Sequence, residues 1–179
     1  MTAFVALLRA VNVAGTGKLA MADLRAMATA LGFGEVRTFI ASGNLLFTSE
    51  LDEAAIKALL EAHLADHAGK RVAVFVRTAA ELAAIVAADP FPDAIGARHM
   101  LHFLDAAPPA ETIVKVRDRQ GERVALGTRE IYVDYAGNIR DTRLKFGTKF
   151  ESTARNMNSV KKLVALVGEN APPREHVYR

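Results

Sequence analysis

The strongest constraint in this sequence is an order of elements that runs once, breaks at Asp89-Pro90-Phe91-Pro92 and starts again. Ala3 to Val11 is nearly all apolar, as a strand buried on both faces or central in a sheet requires. A loop from Asn12 to Leu19 follows. Ala20 to Leu31 then carries Met21, Leu24, Met27, Ala28 and Leu31 at helical spacing, with Gly32 as its stop. Val36 to Ala41 and Leu45 to Thr48 are short β-type runs around Ser42-Gly43-Asn44, a hairpin-turn sequence. Asp52 to His67 reads as an amphipathic helix and Arg71 to Arg77 as a strand. The order through residue 77 is therefore β-α-β-β-α-β, the split βαβ or ferredoxin-like arrangement.

Thr78-Ala79-Ala80-Glu81 is a capping box opening a helix to about Ala88, and the two prolines after it mark a linker. The pattern then restarts with a strand from His99 to Leu104 and a helix from Pro109 to Arg117. Arg123 to Leu126 and Glu130 to Tyr135 form a second hairpin. A turn of helix near Asp141 to Phe146 leads into a last helix beginning near Ser152 and ending near Val167. This half reads β-α-β-β-α and lacks a clear final strand. The expected fold class is α+β: tandem ferredoxin-like halves, the second incomplete and ending in a long helix. The expected boundaries are residues 1–88, residues 98–168 and a loose tail at 169–179, where Pro172-Pro173 interrupts any regular element.

Composition narrows the chemistry. The chain has no cysteine, so disulfides, thiolate nucleophiles and cysteine-ligated zinc are excluded. It enters a strand at once, and no apolar stretch is long enough to span a bilayer, so a cytoplasmic protein with no membrane partner is expected. The net charge is only +3, but Gly137 to Lys162 holds seven basic residues against Asp141 and Glu151. That segment either attracts an anionic partner or is a solvated face.

The most polar stretch is the expected helix start Ser152-Thr153-Ala154-Arg155-Asn156-Met157-Asn158-Ser159. It crowds hydroxyl, amide and guanidinium groups where a helix leaves N–H groups unpaired and favours negative charge. Met157, Val160, Leu163, Val164 and Val167 form one apolar stripe, and Asn156 falls at its edge, so its amide needs partners. Arg155 is expected to be partly accessible. Arg9, in an apolar strand, must be paired or face a cleft. Ala14-Gly15-Thr16-Gly17-Lys18 resembles a phosphate-binding loop but is not a Walker A motif, since Asn12 and Leu19 stand where that motif needs Gly and Ser or Thr. In a β-α-β-β-α-β sheet the first two strands run the same way. The Asn12–Leu19 loop and the Ser42–Asn44 turn therefore share one edge, where Asn12, Lys18, Ser42 and Asn44 can converge. His63 and His67, four apart, lack the glutamate of a zinc-protease helix, and His99 and His102 point to opposite strand faces, so no metal and no cofactor is expected. Tyr132 and Tyr135 are either base-stacking residues or ordinary sheet residues.

Three stretches together carry a resemblance. Leu7-Leu8-Arg9-Ala10-Val11-Asn12-Val13-Ala14-Gly15 resembles an opening written L-L-R-G-I-N-V-G-G, with Ala10 and Ala14 in place of glycines. Met21-Ala22-Asp23-Leu24-Arg25 and Ala41-Ser42-Gly43-Asn44-Leu45-Leu46-Phe47 follow at matching spacing, and Thr153-Ala154-Arg155-Asn156-Met157-Asn158 resembles T-x-R-N-W-x. The combination is similar to the bacterial family known as domain of unknown function 1697. The resemblance implies a two-part α/β fold and no established activity. Arg9, Asn12, Lys18, Ser42, Asn44, Arg155 and Asn156 match its motif positions. The expected function is binding of a phosphorylated ligand, nucleotide or nucleic acid, with those seven residues as the ligand-binding set where the two halves meet. The alternatives are an enzyme, a hydrolase or transferase acting on such a ligand, and a purely structural polar network.

Overall fold

The computed structural model describes residues 1–13 and 18–169. The glycine-rich loop at 14–17 and the tail from 170 onward lie outside the described residues. Among those described, the chain is a mixed α+β protein with two four-stranded antiparallel sheets and a C-terminal helix. Its contacts divide it into two units, one of Met1–Ala80 with the stretch from Leu163, the other of Glu81–Lys162. The connecting helix expected to go with the first half falls in the second unit from Glu81 onward, and the division passes through the last helix at Leu163.

In the first unit, β1 (Thr2–Leu8), α1 (Met21–Ala30), β2 (Gly34–Phe39), β3 (Asn44–Ser49), α2 (Glu53–Ala68) and β4 (Val74–Thr78) follow in chain order, and the sheet order is β2-β3-β1-β4. β1 is hydrogen-bonded to β3 on one edge and β4 on the other. Its unbroken apolar run is explained by burial on both faces, since every residue from Ala3 to Leu8 is buried. Phe4, Ala6 and Leu8 face Leu24, Ala28, Ile56, Leu60 and Leu64 of the two helices. Phe47 stacks there on Phe4 at 5.8 Å and on Phe33 at 4.5 Å. Both helix ends of α2 have clear causes: Asp52 Oδ1 accepts from Ala55 N at 2.8 Å, and Gly69 ends the helix at φ +68°.

In the second unit, α3 (Ala79–Ala87), β5 (His99–Phe103), α4 (Thr112–Lys115), β6 (Arg123–Leu126), β7 (Glu130–Asp134), a short 3-10 turn at Ile139–Asp141, β8 (Thr153–Asn156) and α5 (Met157–Gly168) follow, with α3 starting two residues before the unit. The sheet order is β6-β7-β5-β8, the first unit's order with each strand number raised by four. Two expectations are corrected here. Thr153–Asn156 is not the start of a helix but the strand β8, paired with β5 from Met100 to Phe103, so this sheet does have its fourth strand. Alternating small and large residues in Thr153-Ala154-Arg155-Asn156 give period-2 burial, which the polar composition concealed.

The second correction is at Asp141 to Phe146, read as helix. Thr142, Leu144, Phe146, Thr148 and Phe150 turn inward while Asp141, Arg143, Lys145, Gly147 and Lys149 are exposed, the alternation of extended chain. This strap bridges to Arg117 through Arg117 N to Lys145 O at 2.9 Å and Lys145 N to Arg117 O at 3.1 Å. It covers Leu104, Val124, Ile131 and Val133, a role that helices fill in the first unit. The helix read at Pro109 to Arg117 shrinks to the single turn α4. The Asp89–Pro92 linker is likewise anchored. His99 Nε2 lies 2.7 Å from Asp89 Oδ1, and Arg123 bridges Asp93 and Asp134 while lying over the Phe91 ring.

Gly43 sits at φ +85°, and a Cβ there would stand 2.5 Å from Val11 Cγ2 and 2.9 Å from Leu8 Cβ. Gly69 has a similar φ, but nothing lies within 4 Å of its added Cβ. Gly43→Ala should therefore cost on the order of 2–4 kcal/mol and Gly69→Ala about 1 kcal/mol, read by urea unfolding. Equal losses would mean that the crowding at Gly43 relaxes freely.

Candidate functional site

The shared loop edge forms as the topology requires. Asn12 Nδ2 donates to Ala41 O at 2.7 Å and to Leu19 O at 2.8 Å, while its Oδ1 accepts from Leu19 N at 2.7 Å. One side chain thus pins both ends of its own loop and the β2–β3 turn. Asn44, fully buried, donates to Phe39 O at 2.9 Å and Ser42 Oγ at 3.1 Å, bracing the same turn. Three non-glycine residues there have left-handed backbones: Ala10 at φ +53°, Asn12 at +54° and the β-branched Ile40 at +51°. That conformation suits Asn and Gly and strains Ile. Ala10 occupies a position where the resembled pattern has glycine, which accounts for that glycine.

Lys18 borders a cleft of about 200 Å³ beside this loop. Val11, Leu19, Leu64 and Val72 contribute apolar surface, and Lys18, His67 and Lys70 supply the polar rim. These three come from the β1–α1 loop, the last turn of α2 and the loop before β4. Among the described residues no carboxylate lines the cleft, although Asp23 Oδ2 stands 4.0 Å from His67 Nε2. A low-dielectric floor under clustered positive charge attracts an anion.

The remaining predicted residues fall differently. Arg9 lies just beyond the end of β1 and is exposed, with its backbone N–H bonded to Ala73 O. The physical test that singled it out applies instead to Arg77, which follows the apolar run Val72–Val76 and is fully buried, donating to Val76 O at 2.9 Å. Arg155 is buried too, not accessible. Its guanidinium donates to Thr153 Oγ1 and Ala154 O at 2.9 Å each, and burial lowers its pKa to about 10. Asn156 Oδ1 accepts from Ser159 N at 2.8 Å, so it caps its own helix rather than reaching for the Asn12 or Asn44 loop. Asn12, Lys18, Ser42 and Asn44 are thus in the first unit with Arg9, whereas Arg155 and Asn156 are in the second.

Tyr132 and Tyr135 are both buried, so neither offers a ring to a nucleic-acid base. Tyr132 donates to Ile85 O at 2.7 Å, and burial, with Glu130 nearby, raises its pKa to about 12. Among the described residues no group of three or more His, Asp or Glu side chains is placed to hold a metal ion. Glu122, which no motif marked, locks the strap: it accepts from Thr142 Oγ1 at 2.6 Å and from Gln120 N, and the Thr142 bond leads in lowering its pKa. His102 packs edge-on to Phe146 at 5.2 Å, and its Nε2 is buried with no hydrogen-bond partner among the described residues. Burial pulls its pKa down to about 4.

Two outcomes follow from these placements. The unfolded chain takes up a proton at His102 near pH 6.5 and the folded chain only near pH 4, so stability should fall between those values by roughly 2–3 kcal/mol. His102→Leu should flatten that part of the unfolding-versus-pH curve; an unchanged slope would remove His102 as its cause. Arg155→Ala should destabilise by about 2–4 kcal/mol through an emptied, polar-lined space, and Asn156→Ala by only about 1 kcal/mol through the lost cap. Denaturant midpoints in the opposite order would contradict the burial of Arg155.

Comparison with known proteins places this architecture. The chain is similar to the solved structure of the conserved bacterial protein SP0830 from Streptococcus pneumoniae, with a TM-score of 0.76 at 22% identity, over 94% of this chain and 99% of that one. At that identity the likeness speaks for the fold. No curated protein matches the chain. A family described as "Protein of unknown function (DUF1697)" matches residues 1–132, the span that contains the strained loop edge and the Lys18 cleft. The chain therefore belongs to the DUF1697 family.

Proposed function

We propose that this protein binds a small phosphorylated or otherwise anionic ligand, a nucleotide included, in the Lys18 cleft of its first unit. The carrying observation is the convergence of Lys18, His67 and Lys70, from three separate segments, on one apolar-floored cleft with no carboxylate among the described residues of its lining. Lys18 and Lys70 contact the anion, and Asn12, Ser42 and Asn44 act behind them by fixing the loop and turn. Arg155 and Asn156 leave the contact set and become scaffold of the second unit. The nucleic-acid form of the reading loses its stacking surface with the burial of Tyr132 and Tyr135. Within the same reading we take the two sheets as tandem ferredoxin-like halves, on the support of their matching strand orders, and the protein as cytoplasmic. A hydrolase or transferase draws on one observation, the titratable His67 at the same rim with Asp23 beside it.

Inorganic pyrophosphate and adenosine monophosphate, titrated into the full chain by calorimetry, test the reading. At least one should bind saturably and weaken about tenfold in Lys18→Gln and in Lys70→Gln, with folding unchanged because both side chains are exposed. Absence of saturable binding, or binding indifferent to both substitutions, would reject the site.

A further inference from the structure

A second and larger cleft, of about 360 Å³, lies wholly within the second unit between α3 and the β6–β7 hairpin. Small side chains open it. Ala84 and Ala88 stand one helical turn apart on one wall, and Ala125 and Gly127 lie on the other. At Gly127 a Cβ would come within 2.7 Å of Glu130 Oε2 and 3.0 Å of the Tyr132 ring, so a larger residue there would displace the Glu130 carboxylate. Ile85 and Leu126 add apolar surface. The volume is at the lower end of the range of about 300–1,000 Å³ for small-molecule sites.

The polar groups fix the sign of the ligand. Among the described residues of the lining, Glu81 and Glu130 are carboxylates and Arg129 is the one cation, an excess of one carboxylate. Arg129 is already committed: its guanidinium donates to Glu81 Oε1 at 2.7 Å and Asp105 O at 3.3 Å. Its backbone N–H donates to Glu130 Oε2 at 3.0 Å, which holds that buried carboxylate in place. Tyr132 lies buried beneath the cleft, its hydroxyl donating to Ile85 O at 2.7 Å. Carboxylates at the rim of apolar walls are the chemistry that recognises an ammonium on an apolar body.

We propose that this cleft binds a primary amine with a short branched or aromatic apolar body, its ammonium held by Glu81 and Glu130 and its body against Ala84, Ala88 and Leu126. This site is in the other unit from the Lys18 cleft and takes the opposite charge, so the two proposals stand or fall separately.

The test titrates the full chain with 3-methylbutylamine, with the neutral isostere 3-methyl-1-butanol and with the anion 3-methylbutanoate, followed by calorimetry. The amine should bind saturably and at least tenfold more tightly than either isostere. Glu81→Gln should weaken it about tenfold. Ala84→Phe, at an exposed helix position where thermal unfolding serves as the folding control, should fill the cleft and abolish binding. Equal affinity for amine and alcohol would overturn the charge assignment, and so would preference for the anion. Amine binding that survives Ala84→Phe, or no saturable binding by the amine at millimolar concentration, would overturn the site.

Discussion

The first unit depends on one strand being satisfied in every direction. β1 is paired on both edges and packed on both faces, so its residues have no tolerance for a polar side chain until Arg9, which leaves the sheet. That abrupt end is what generates the loop edge. The chain must turn out of a fully buried strand within a few residues, and it does so through left-handed Ala10 and Asn12. Asn12 then closes the turn by bonding both strands' loops through backbone carbonyls, which a longer or charged side chain could not do in the same space. The Lys18 cleft is a by-product of this exit: it is the space between the departing chain and the last turn of α2.

The second unit repeats the strand order but covers its sheet differently, and the difference is electrostatic as well as geometric. An extended strap with alternating inward apolar and outward basic residues replaces a helix over one face. Such a strap lacks the backbone hydrogen-bond ladder of a helix, and the Arg117–Lys145 bridge and Glu122 hold it in place. Three of the seven basic residues between Gly137 and Lys162, Arg143, Lys145 and Lys149, stand on the solvent side of this covering segment, and they alternate because the chain is extended.

How much was legible follows the same physics. The element order of the first unit and the meeting of Asn12 with the Ser42 turn could be derived, because the direction of successive strands follows from connectivity. The start of the last helix was not legible. Thr153-Ala154-Arg155-Asn156 has helix-cap residue types and only four positions, too few for period 2 to show against a following amphipathic helix. Asn156 is both the last residue of that strand and the cap of the helix, so its polar character was rightly noticed and its partner wrongly assigned. Burial of guanidinium groups was the least readable property. Arg9 and Arg77 each follow an apolar run, yet one is exposed and the other fully buried. Local sequence cannot distinguish a strand that has just left its sheet from one that has not.

Buried Arg77 and Arg155 also show why polar residues in a motif need not be ligand contacts. A guanidinium taken out of water loses several kcal/mol of hydration unless its N–H groups find acceptors, and backbone carbonyls at strand ends are the acceptors nearest to hand. Residues of this kind fix where a strand ends and therefore where the next loop begins. Groups that contact a ligand must line a surface the ligand can reach, as Lys18 and Lys70 do at the rim of their cleft. The separation is set by solvation. A charge whose N–H groups are already taken by acceptors in the core has little left to offer a ligand, whereas one on an apolar rim gains most from an opposite partner that displaces water.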